Sequence, residues 1–109
     1  MRDLIFKKKF GIIYIMKKEI GNFTFESAAL YDPDTCAYFE GYRHHEIIRR
    51  LQEEGYPSHV VKRCKQGFIV HHEDFLHNSY FITREEATEI AKDNDYPMIG
   101  SILTSEDLW

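Results

Sequence analysis

The sequence has little cysteine, no glycine-rich loop and no long apolar run. Its two cysteines, Cys36 and Cys64, form no CxxC pair, so we interpret them as reduced thiols and expect a fold that needs neither disulfides nor metal. The six glycines are scattered, and none builds a phosphate-cradling loop. The longest apolar run, Phe10 to Met16, is too short to span a bilayer, which predicts a cytoplasmic protein without a membrane partner.

An excess of basic charge is also lacking. The formal charge is −4 at pH 7, whereas a protein that captures long nucleic acid normally presents a basic face. The basic pairs Arg49-Arg50 and Lys62-Arg63 are short, and clusters of this kind are usually solvated. We therefore exclude long nucleic acid as a partner.

What the chain does have is a high aromatic content of 15%, within a length of 109 residues that suits one domain. Most of these rings should lie in the core, and the surplus could line a ligand surface. Because Met16-Lys17-Lys18 resembles a translation start, we interpret residues 1–15 as an N-terminal extension and 16–109 as the domain. The strand-forming residues of Gly11 to Met16 could add a strand or an oligomer contact, which predicts a homo-oligomer.

Alternating and helical patterns predict an α+β fold, a small antiparallel sheet with two helices packed on one face. The predicted strands are two hairpins and a short segment between them: 23–31 with 36–42, 60–62, and 68–71 with 80–82. The first helix should run from Arg43 to Glu54, with His44 on the same side as its core isoleucines. The second should begin at a capping box formed by Thr83 and Glu86.

The histidines allow two chemical hypotheses, neither with a strong motif. His71, His72 and His77 could contribute to a metal site, but adjacent residues of a strand point to opposite faces, so we predict no metal and no cofactor. Acid–base hydrolysis could use His44 or His45 together with Glu46 or with the acids of a C-terminal tail folded over the first helix, Glu106 and Asp107. The alternative for that tail is a capped terminal turn with Trp109 as a hydrophobic plug.

The densest chemistry lies in Gly41-Tyr42-Arg43-His44-His45-Glu46-Ile47-Ile48, where a strand leads into the first helix. The first turn of a helix leaves backbone N–H groups without helical partners and carries a partial positive charge. Together with a guanidinium and an imidazole, such a helix start suits a phosphate or a carboxylate. The segment is therefore a candidate anion site.

Two stretches resemble a family of small proteins of tailed phages and prophages that are generally left as hypothetical proteins. One is the same Gly41 to Ile48 segment, with its Arg-His helix start. The other comprises Gln66-Gly67-Phe68, the segment Phe81-Ile82-Thr83-Arg84-Glu85-Glu86-Ala87 with Ile90-Ala91, and Leu103-Thr104-Ser105-Glu106-Asp107-Leu108-Trp109. The resemblance covers most of residues 22 to 109. Ile69 to Ser79 departs from it as a longer His-rich insertion.

The resemblance implies a phage accessory protein, and such proteins often counter host defence. We therefore expect a protein of the host cytoplasm that binds and sequesters a small nucleotide-type immune signal. The alternatives are an enzyme that hydrolyses such a nucleotide with His44 or His45, and an inhibitor that binds a host defence protein through an acidic face. The expected ligand-binding residues, for phosphates and for stacking on a base, are Tyr42, Arg43, His44, His45, Gln66, Phe68, Arg84, Asp107 and Trp109.

Overall fold

The computed structural model describes residues 7–9, 17–74 and 78–109 of the chain. These residues form six strands: β1 (Lys7–Lys9), β2 (Lys18–Ile20), β3 (Phe23–Asp32), β4 (Ala37–Gly41), β5 (Lys65–His72) and β6 (Tyr80–Thr83). They also form four helices: α1 (His44–Glu53), α2 (Ser58–Arg63), α3 (Arg84–Asp93) and α4 (Ser105–Leu108).

All six strands belong to one sheet in the order β1-β4-β3-β5-β6, with β2 paired to the beginning of β3. The pairs β2–β3, β3–β4, β3–β5 and β5–β6 are antiparallel, and β1 lies parallel to β4. Strands β5 and β6 approach closely at Gly67, where a Cβ atom would overlap the Ile82 carbonyl oxygen and the Phe81 ring. The predicted antiparallel sheet of an α+β fold is confirmed. The predicted strand within Gly11 to Met16 lies outside the described residues, and the homo-oligomer built on it stays a prediction.

The hydrophobic core lies between one face of the sheet and the helices. Phe68 and Val70 lie two residues apart on β5, so their side chains point to the same face. Their β3 partners Ala28 and Phe25, and Leu30 two residues beyond Ala28, share this face because the pairing register shifts between Phe25 and Ser27. In one buried cluster they pack with the helix residues Ile47, Leu51, Ala87 and Ala91. The two long helices therefore lie on one face, as their spacing of apolar residues predicts.

The segment 60–62 is helical, so its prediction as a short strand is wrong. Helix α2 begins directly after Pro57, whose carbonyl oxygen accepts hydrogen bonds from the Val60 and Val61 amides at 3.0 and 3.4 Å. At the other end of the helix, Arg63 is held by Asp32. These contacts outweigh the strand preference of two adjacent valines, which is weak and depends on context.

The two helix-start motifs have the local geometry that their sequences indicate. At α3 the Glu86 amide donates to the Thr83 hydroxyl at 3.2 Å, and the Thr83 amide donates to the Glu86 carboxylate at 2.8 Å. This reciprocal pair confirms the predicted capping box. At α4, Asp107 accepts hydrogen bonds from the Thr104 amide and hydroxyl at 2.9 and 3.0 Å, so the tail ends in a capped turn. No helix in the described part of the chain is long and apolar enough to cross a membrane.

Candidate functional site

Three helices begin around one shallow pocket of about 220 Å³, which we call the α1–α4 pocket. The first residues of α1, α3 and α4 all contribute to its walls, and β5 supplies Gln66 between them. Its lining comprises His44, His45, Ile48, Gln66, Arg84, Thr104, Ser105 and Glu106. Helix starts carry partial positive charge, and those of α1 and α3 belong to helices of 10 residues each.

A second pocket of about 360 Å³ lies beside the first, and we call it the β5–α3 pocket. Its lining comprises Cys64, Lys65, Gln66, Thr83, Arg84 and Glu85. Gln66 and Arg84 belong to both linings, so the two pockets meet at these side chains. Together they form one bipartite depression along the end of β5.

Arg84 stands at the junction of the two pockets and is half-buried. Its guanidinium takes part in none of the hydrogen bonds or ion pairs among the described residues, although Glu85 and Glu106 line the same pockets. By contrast, Arg43, Arg49 and Arg63 each lie within 4.0 Å of a carboxylate oxygen. A guanidinium presents five donors, so Arg84 offers a full set of donors to a molecule in either pocket.

Two uncharged polar side chains in the α1–α4 pocket are similarly unused. Ser105 is 2% exposed, and its hydroxyl forms no hydrogen bond within the described part of the chain. The half-buried amide of Gln66 likewise forms no side-chain hydrogen bond there. Buried polar groups normally have partners, so an unused hydroxyl on a pocket wall indicates a partner that comes from solvent or from a ligand.

His44 is held on the core side of the pocket. Its Nε2 lies 2.7 Å from the Gly67 carbonyl oxygen, and since a carbonyl only accepts, Nε2 carries the proton and donates. Burial lowers the pKa of His44, and the nearby Arg84 guanidinium lowers it further, against the opposing effect of the Gly67 hydrogen bond. The ring is therefore neutral at pH 7, in the tautomer that leaves Nδ1 as the acceptor. The prediction that His44 lies on the core face of α1 is confirmed.

Arg43 and the C-terminal tail form a network at the rim. Arg43 donates from Nη2 to the main-chain oxygen of Trp109 at 2.6 Å, and its Nη1 lies 3.5 Å from Glu106 Oε2. His45 Nδ1 is 3.9 Å from the same carboxylate oxygen. The pKa of Glu106 is lowered, first by its own backbone N–H and then by Arg43 and His45, so the carboxylate is charged at pH 7. The tail therefore lies beside the start of α1, as the hydrolysis hypothesis requires, and it also has the capped turn of the alternative interpretation.

The structure separates the residues expected to bind a ligand into two groups. His44, His45, Gln66 and Arg84 line the α1–α4 pocket. Phe68 is fully buried, so its ring cannot stack on a base. The remaining four line neither pocket: Tyr42 is half-buried before α1, Arg43 is engaged at the rim, Asp107 caps α4, and Trp109 packs its ring on Phe68 at 6.3 Å.

Sequence reasoning missed Lys65, Thr104 and Ser105 as pocket residues. The capping motif at Thr104 and Asp107 could have shown that a short helix begins there, but not what that helix faces. His71 and His72 are the last two residues of β5, where they pair with Thr24 and Phe23, and His77 lies outside the described residues. Among the described residues no group of three or more His, Cys, Asp or Glu side chains could hold a metal ion.

Comparison with known proteins gives no relative for this chain, since no family model, no curated protein and no solved structure matches it.

Proposed function

We propose that this protein binds a small phosphate-bearing ligand of the nucleotide type in the two adjoining pockets and holds it unchanged. The single observation that carries the proposal is the half-buried guanidinium of Arg84, which lines both pockets without an anionic partner among the described residues. Guanidinium groups bind phosphate oxygens through paired, charge-assisted hydrogen bonds.

The surroundings of Arg84 favour an anion for a second reason. Arg84 is the first residue of α3, and the Glu86 amide is already bonded within the capping box. The amides of Arg84 and Glu85 precede it in the first turn, where no carbonyl of the helix can accept from them. A phosphate beside Arg84 could therefore receive backbone donors together with the side-chain donors.

Binding without cleavage fits the state of the histidines better than hydrolysis does. His44 is 7% exposed and uses Nε2 to hold Gly67, so it is poorly available to exchange a proton with a bound molecule. The hydrolytic alternative would depend on His45, which is exposed and 3.9 Å from Glu106. That separation exceeds the reach of a hydrogen bond, although such pairs can tighten when substrate binds.

The resemblance to small proteins of tailed phages suggests the biological role. A protein that retains a nucleotide signal intact lowers the free concentration of that signal, so binding alone would oppose a host defence that depends on it. The net charge of −4 is compatible with this role, because a small anion needs local donors rather than a basic surface.

The first test is a thermal-shift screen against nucleoside mono- and diphosphates, cyclic nucleotides and ADP-ribose derivatives. Any stabilising ligand is then released by denaturing the complex and identified by mass spectrometry. We expect one class to raise the melting temperature and to be recovered unchanged. Arg84→Ala should weaken its binding by at least about tenfold, the usual effect of removing a hydrogen bond to a charged group.

Arg49→Ala is the matched control, because it removes the same charge from an exposed position on α1 that faces Glu53 and lines neither pocket. Recovery of a cleaved product that depends on His45 would replace sequestration by hydrolysis. If no compound shifts the melting temperature and the protein instead captures a host defence protein, the inhibitor hypothesis would replace both. Sedimentation of the complex would test the predicted homo-oligomer.

A further inference from the structure

The two adjoining pockets differ in charge and in hydrogen-bonding groups, and this difference bears on how a ligand would lie in them. The β5–α3 pocket contains the cations Lys65 and Arg84 against one carboxylate, Glu85. Cys64 adds no negative charge there, because burial raises the pKa of its thiol to about 11. The balance in this pocket is therefore positive.

The α1–α4 pocket shares Arg84 but also contains the Glu106 carboxylate, while His44 is neutral. Its uncharged groups include the Gln66 amide, the buried Ser105 hydroxyl and the apolar surface of Ile48. An amide and a hydroxyl can each donate and accept, which suits the mixed donor and acceptor edge of a nucleobase. A second phosphate in this pocket would meet Glu106.

On the basis of the proposed function, we infer that the ligand is an extended nucleotide bound in one orientation, with its phosphates in the β5–α3 pocket and its base in the α1–α4 pocket. Lys65 and Arg84 hold the phosphates, whereas Ser105 and Gln66 bind the edge of the base. Arg84 marks the junction between the two halves.

Separate probes for the two halves can test this orientation by calorimetry. The probes are ADP and GDP as whole ligands, adenosine and guanosine as base halves, and inorganic pyrophosphate as the phosphate half. We expect Lys65→Ala to weaken the binding of the diphosphates and of pyrophosphate by about tenfold and to leave the binding of the nucleosides unchanged. Ser105→Ala should weaken the binding of the nucleosides and of the diphosphates by about fivefold and leave the binding of pyrophosphate unchanged.

Two control variants remove the same groups outside the pockets. Lys62→Ala removes an exposed lysine of α2, and Ser101→Ala removes an exposed hydroxyl before α4. Neither substitution should alter the affinity for any of the probes. Ser105→Ala removes a hydroxyl that has no partner among the described residues, so a melting temperature close to that of the wild type should show that it still folds.

The outcomes separate this inference from the proposed function. In the opposite pattern, Ser105→Ala weakens the binding of pyrophosphate and Lys65→Ala weakens the binding of the nucleosides. This result would overturn the orientation and leave the proposal of nucleotide binding intact. Binding of the diphosphates without any effect of either substitution would likewise overturn the orientation. Failure of every diphosphate and pyrophosphate to bind the wild-type protein would overturn the orientation. The proposed function would be overturned only if the monophosphates, cyclic nucleotides and ADP-ribose derivatives of the screen also failed to bind.

Discussion

Arg63 and Arg84 are both half-buried, yet their electrostatic surroundings are opposite. Arg63 donates from Nε and Nη2 to the two carboxylate oxygens of Asp32, each at 2.9 Å, and lies 3.3 Å from Asp34. Arg84 has no carboxylate partner within the described part of the chain. The comparison shows that Asp32 pairs with one of the two guanidinium groups, whereas no described carboxylate pairs with the other.

The hydrogen bonds that Asp32 accepts also explain why its carboxylate can be buried. Besides the two Arg63 bonds, Asp32 Oδ1 accepts from the Asp34 amide at 3.0 Å and so helps to close the turn between β3 and β4. A buried charge is tolerated when its lone pairs are filled in this way. By the same reasoning, the donors of Arg84, which have no hydrogen-bond partner among the described residues, mark a position where an anion could be bound.

Removing the satisfied carboxylate should produce the largest change. We expect Asp32→Ala to lower the free energy of unfolding by about 2 kcal/mol, below the usual cost of breaking a buried pair because Arg63 remains partly solvated. Urea denaturation measures this change. Asp34→Ala is the control. Because Asp34 is exposed, its substitution should lower the free energy of unfolding by less than about 1 kcal/mol. Equal effects of the two substitutions would contradict a special role for Asp32.

A pH series should separate the two arginines further. The hydrogen bonds from Arg63 hold the pKa of Asp32 below its ordinary value of 3.8. The stability that Asp32 contributes is therefore fully present above that value and is lost as the pH falls through the lower pKa of the folded state. Denaturation curves between neutral pH and about pH 3 should show a steeper loss for the wild type than for Asp32→Asn. Arg84→Ala should keep the part of this loss that Asp32 causes, because it leaves the hydrogen bonds between Asp32 and Arg63 in place.

At Arg84 we expect little change in stability. Because its guanidinium makes no ion pair with a described residue, Arg84→Ala should alter the free energy of unfolding by no more than about 0.5 kcal/mol. The same substitution should abolish most of the ligand-induced thermal shift. Urea denaturation in the absence of ligand measures the first effect, and a loss comparable to that of Asp32→Ala would show that Arg84 is structural instead.

The smallest expected effect is on His44. Arg84→Ala should raise the pKa of His44, because a positive charge that opposes its protonation is removed. That pKa should nevertheless stay below its ordinary value of 6.5, since burial is the first cause of its lowering. An NMR titration of the imidazole measures the change, with Arg49→Ala as the control. An unchanged titration would place Arg84 farther from His44 in solution.

Local patterns were sufficient to predict much of the fold. The spacing of apolar residues correctly indicated α1, its buried His44 and the strands β3 to β6, and the capping box correctly placed the start of α3. These features depend on residues close together in the chain. The helix α2 was missed because its bounds depend on Pro57 and on a long-range contact between Arg63 and Asp32.

The candidate site was only partly predictable for the same physical reason. Sequence alone determined that donors would gather at the starts of α1 and α3, because caps and helix starts are local properties. Only the tertiary structure decided that these two starts meet β5 and α4, that Phe68 is buried, and that Ser105 faces a pocket. The pairing of Arg63 depends on Asp32, which lies 31 residues away in the chain, and no local pattern specifies that contact.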